Sequence, residues 1–287
     1  GWTDGYLRHD LLENSNEPQF FADFVDRVAA HGLRFFAEAD VASMVGSGLP
    51  MGLAEGVARL SGSLVGREQL LDLLTNRAFR QSLLCRSECR SQERLDENAV
   101  RSAYVISTLR ARTSNGAATT VTKRFESRGQ FAMDVAEPFV TAALSHLQDA
   151  YPGGAWFDDL IAVDATTRTD DAEAQRQSLA RVLLAAFVER AVELHTVAPP
   201  AAFVAAERPV ASPLARLQSE HGNLVTNLRH DVVRLDEQAR VMIRFFDGTR
   251  DHAALGRLSS TEAATAAGTR DIDELMSFYL RSGLLQP

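Results

Sequence analysis

The chain has only two cysteines, Cys85 and Cys89. Cys85 lies in the stretch DLLTNRAFRQSLLCR, Asp72 to Arg86, together with Arg77, Arg80 and Arg86. A thiolate beside guanidinium groups could be a nucleophile, half of a metal site or part of an anion clamp. Each chemistry needs a complement. The C-x-x-x-C spacing has no second ligand pair nearby. The histidines, His9, His31, His146, His195, His221, His230 and His252, show neither H-x-x-x-H nor H-E-x-x-H spacing, so no single helix assembles a zinc site. Free cysteines of this kind behave as small buried hydrophobes. G-x-S-x-G is absent and nothing marks a nucleophile–base pair, so a stand-alone hydrolase finds no support. The sequence yields no catalytic and no metal-ligating candidates.

A search for cofactor loops ends the same way. No G-x-G-x-x-G follows an expected strand, and no G-x-x-x-x-G-K-[ST] is present. The cluster VGSGLPMG reads as a break between helices. No cofactor-binding residues are assigned, and the chain is not expected to be catalytic by itself.

The elements that would hold these residues follow from periodicity and breakers. At 287 residues the chain exceeds one ordinary core. In residues 1–90, Phe21, Phe24, Val25 and Val28 mark a helix that follows Pro18 and stops at Gly32. LRFFAEA suggests a strand leading to a helix near Asp40. MGLAEGVARL and REQLLDLLTN suggest further helices, and FRQSLLC a strand. In residues 91–198, RSAYVISTLRAR and VTKRFESRGQFAM read as strands. They are followed by the helix FVTAALSHLQDAY, a Pro152-Gly153-Gly154 break, a short helix in AWFDDLIA, a long helix from Asp170 to Arg190, and a strand in VELHTVAPP. That order is winged-helix-like. Residues 199–287 open with a Pro199–Pro213 linker and repeat the theme, with strand material in NLVTNLRHDVVRL and helices in LDEQARVMIRFF, DGTRDHAALGRL and DIDELMSFYLRSGLLQP. The expected class is α+β, mainly helical with short strands: an N-terminal helical domain followed by two winged-helix-like units.

Charge narrows the partners. With 30 Lys+Arg against 38 Asp+Glu, the net charge of −8 opposes a nucleic-acid or anionic-membrane role. The long helix enters through DDAEAQRQ, and the last through Asp271, Asp273 and Glu274. Those acids suit the helix dipole and repel phosphate. The strand pair around Lys123, the chain's sole lysine, is the one basic patch. No apolar run is long enough for a membrane helix, no leader is evident, and two unpaired cysteines suit a reduced cytoplasmic setting. The opening GWTDGYLRHD leads directly into structure, as a piece of a larger protein would.

Two stretches resemble a known family. YLRHDLLENSNEPQFFADFVDRVAAHGLRFFAEAD is similar to the opening of the predicted methyltransferase regulatory domain of bacterial class I methyltransferases, through Tyr6, His9, Asp10, Asn16, Pro18, Phe21, Phe24, Gly32, Leu33 and Phe35. Asp10 stands where glutamate is more usual. The family's closing signature resembles DLLTNRAFRQSLLCR, through Asp72, Asn76, Arg77, Phe79, Arg80, Gln81, Leu84 and Cys85. Downstream, ERPVASPLARLQ, LVTNLRHDVVRLD and FFDGTRDHAAL look like the C-terminal part of bacterial protein-lysine methyltransferases. The likeness is weak between about 90 and 195.

The resemblance implies a regulatory and substrate-handling region. Its partners would be a catalytic domain in cis, N-terminal to this region and supplying S-adenosylmethionine, together with a protein substrate or a second subunit. A winged-helix transcriptional regulator or protein-binding module is the alternative. Two readings stay open for Arg77, Arg80 and Gln81: pairing with carboxylates of the catalytic domain, or salt bridges and caps within their own domain. Tyr6, His9 and Asp10 likewise suit either an interface or a buried polar network.

Overall fold

The computed structural model describes residues 12, 17–44, 51–89, 95–112, 122–127, 131–163, 171–262 and 270–287. They form a mixed α and β structure, with more helix than strand, divided into two compact units at Leu95/Asp96. Tyr6, His9, Asp10 and the glycine cluster before Met51 lie outside the described residues.

In the first unit, helix α1 (Phe21–Ala29) carries Asp23 in its first turn and Arg27 in its last, both favourable to the helix dipole. It buries Phe21 against Phe35 of strand β1 (Leu33–Glu38), the rings edge to face at 4.9 Å. Gly32 makes the turn between them at φ +71°, a conformation glycine adopts without strain. Helices α2 (Val41–Met44), α3 (Met51–Leu60) and α4 (Leu64–Thr75) follow. Ser63 caps α4 by accepting from the Gly66 N–H at 3.0 Å. The helix ends at Asn76 in the left-handed region, with Arg77 N–H closing onto the Asp72 carbonyl. Strand β2 (Ser82–Arg86) then returns antiparallel to β1, from Glu38↔Ser82 to Leu33↔Arg86, with an irregularity between Phe35 and Ala37.

The second unit holds two hydrophobic cores. Its first half contains α5 (Glu97–Val100), β3 (Tyr104–Ser107), β4 (Arg110–Arg112), β5 (Lys123–Glu126) and β6 (Ala132–Val135). Next come α6 (Pro138–Ala150), β7 (Gly154–Trp156), α7 (Phe157–Ala162), α8 (Ala172–Val188) and β8 (Val192–His195). The order α6, α7, α8, β8 follows the expected helix, short helix, long helix and strand; β7 stands where a break was expected, and the central strand is β3, paired antiparallel with both β7 and β8. A winged helix ordinarily takes its middle strand from beyond the long helix. Here that strand comes first in the chain. Fully buried Val105, Leu144, Leu160 and Leu183 meet beneath the sheet. Gly154 is obligatory, since a Cβ there would lie 2.0 Å from the Val105 carbonyl oxygen.

The second half repeats this arrangement. It comprises α9 (Pro213–His221), the hairpin β9 (Leu224–Thr226) and β10 (Val232–Arg234), α10 (Glu237–Met242) with a 3₁₀ turn to Phe245, α11 (His252–Glu262) and α12 (Ile272–Arg281). Val210 bridges to Asp247 and Ala211 to Leu285, so the stretch before α9 again supplies the middle of a small sheet. The Pro199–Pro213 segment, read from composition as a linker, is therefore packed at its two ends and exposed from Val204 to Arg208. Ala201, Ala202 and Ala211 are buried, and Ala202 N–H donates to the Leu285 carbonyl. Phe246 and Tyr279 pack edge to face at 4.8 Å in the core, where the Tyr279 hydroxyl donates to the Ala239 carbonyl at 2.7 Å. Burial pushes that phenol well above its ordinary pKa.

Candidate functional site

The left-handed cap at Asn76 turns the chain back across α4, and this turn decides where Arg77 and Arg80 point. Arg80 Nε and Nη2 fork onto the Asp72 carboxylate at 2.9 and 2.8 Å. Its Nη1 donates to Glu38 Oε1 at 2.5 Å, and Nη2 also reaches Glu68 Oε2 at 3.2 Å. The guanidinium lies 3.7 Å from the Phe21 ring centroid, a cation–π contact. One side chain thus ties α1, β1 and α4 to the entrance of β2. Arg77 supports it, with Nη1 3.4 Å from Glu68 Oε2 and Nη2 donating to the Ser43 carbonyl at 2.7 Å. Glu38 completes the cluster by accepting from Gln81 N–H at 3.2 Å and Ser82 Oγ at 2.7 Å.

Of the two readings for Arg77 and Arg80, the structure places both guanidinium groups on carboxylates of their own unit. Gln81 contributes its backbone N–H, and its side chain is exposed. Glu38 and Glu68 were not singled out from the sequence. A signal for Glu68 was present: it stands three residues before Leu71 on α4, an acid on the face that the helix buries.

Glu68 is fully buried, and its Oε1 has no hydrogen-bond partner. Loss of solvation raises its pKa despite Arg80, Arg77 and Arg67 acting in the opposite direction. A carboxyl with a raised folded pKa stabilises the fold fully below the unfolded value near 4.5, and that contribution fades as pH rises through the folded value. Urea midpoints measured between about pH 5 and about pH 8 should therefore fall for the native chain and fall less for Glu68→Gln. Equal slopes for the two proteins would refute the assignment.

Beside the cluster lies an open groove of about 740 Å³, lined by Phe21, Phe24, Phe79, Arg80 and Leu83 among others. A second hollow of about 560 Å³ adjoins it along α1 and α4, between Phe20 and Leu73. Phe79 is 75% exposed, and Phe20 and Leu73 are also open to solvent. Their rims supply an apolar surface with carboxylates and arginines at its floor.

The other candidates resolve less sharply. Arg112 and Arg124 of the basic strand pair meet Glu126 at 2.8 and 3.1 Å, and Arg124 meets Asp134, so these two arginines are paired within their own sheet. Helix α8 is capped by Asp171 and α12 by Asp271, with Glu173, Asp273 and Glu274 in their first turns. Cys85 and Cys89 are unbonded, and no cluster of three or more metal-ligating side chains occurs among the described residues. Every strand pair described is antiparallel. No described helix is long and apolar enough to cross a membrane.

Comparison with known proteins gives this architecture its class. Residues 3–86 match the predicted methyltransferase regulatory domain, and residues 207–276 match the PKMT C-terminal winged helix domain. These two matches support a methyltransferase-associated regulatory and C-terminal region. In fold it is similar to PKMT2 from Rickettsia typhi, solved in complex with AdoHcy, with a TM-score of 0.83 at 16% identity over 99% of this chain and 61% of that one. A second structure of PKMT2 from Rickettsia typhi gives the same TM-score and covers 62% of that chain. Uncharacterized protein RP789 of Rickettsia prowazekii (strain Madrid E) is 21% identical over 267 residues, which is 88% of this chain and 47% of that protein. The chain therefore spans about half to three-fifths of the length of these relatives.

Proposed function

We propose that this chain is the non-catalytic regulatory and substrate-handling region of a bacterial, cytoplasmic S-adenosylmethionine-dependent methyltransferase acting on protein lysine. It works on a catalytic domain in cis that lies outside this sequence and holds the cofactor. The observation that carries the reading is the open groove beside the Arg80 cluster. A protruding Phe79 next to a hollow floored by charged side chains has the composition of a contact centre, where an aromatic anchor contributes most of the affinity. Arg80 acts there as the internal brace of the surface rather than as its contact. The winged-helix-like half presents acidic helix entrances, which suit a basic protein substrate better than a phosphate backbone.

Two measurements test this. Calorimetry of the chain with S-adenosylmethionine should show no heat of binding, and micromolar binding would overturn the non-catalytic reading. Titration with the catalytic domain supplied in trans should give a complex that Phe79→Asp weakens at least roughly tenfold, as loss of a contact anchor does. An unchanged affinity moves the contact away from the groove.

A further inference from the structure

We draw no further inference here: the strongest candidate, the hollow of about 490 Å³ between α9 and β9 with exposed Leu217 and Leu224 in its lining, is an unpartnered apolar face, and nothing in the structure shows what covers it.

Discussion

Replacing Arg80 with alanine is expected to destabilise the first unit by about 3–5 kcal/mol, the usual cost of removing one partner from a buried ion cluster. The magnitude follows from what stays behind. Glu38 and Glu68 have side chains 4% and 0% exposed, and Asp72 only 12%. Without the guanidinium these three carboxylates would face one another across a small volume, with only Arg77 and, at Glu68, Arg67 to balance them. The Phe21 ring would also lose the group stacked on it. Arg80→Lys restores one charge but not the fork that holds Asp72 through two nitrogens, so it should recover only part of the loss. Urea denaturation of the chain, followed by amide exchange at β1 and β2, measures this. A change below about 1 kcal/mol would show that the cluster is solvated in solution and behaves like a surface ion pair.

The second large effect is expected at Phe246. Truncation to alanine should cost about 3–5 kcal/mol, the range for a buried phenylalanine. The side chain is fully buried against Tyr279, and the Phe246 carbonyl accepts the Ala211 N–H at 2.7 Å. The cavity would therefore open beside the short central strand, and Ala211 and Leu285 should lose amide-exchange protection before the helices do. A loss confined to α11 would contradict that placement of the strand.

Much of the architecture is legible in the sequence because it is local. Phe21, Phe24, Val25 and Val28 announce α1, Gly32 its end, and FRQSLLC the strand that becomes β2, since each signal lies within one element. The partners of Arg80 are not local. Asp72 and Glu68 precede it by two and three helical turns, and Glu38 sits on another strand 42 residues away. No spacing rule joins them, so the sequence leaves their arginines open between an internal and an external role. The Pro199–Pro213 segment misleads for a related reason. Its prolines and alanines carry a linker's composition, while its burial depends on Leu285, far along the chain. Ala201, Ala202 and Ala211 are buried, while Val204 to Arg208 between them stay exposed.

The early position of the central strands has a consequence for synthesis. Ala211 finds its partner at Leu285, and at a translation rate of roughly 5–20 residues per second that partner is made about 4–15 s later. The same delay, slightly longer, separates β3 from β8. Throughout that interval β3, buried at all four positions in the finished fold, waits on the ribosome with its side chains uncovered and one hydrogen-bonding edge vacant. In the β7-β3-β8 sheet the middle strand is the first to be made and the last to be enclosed. For a nascent chain, that is the stretch for a chaperone to hold.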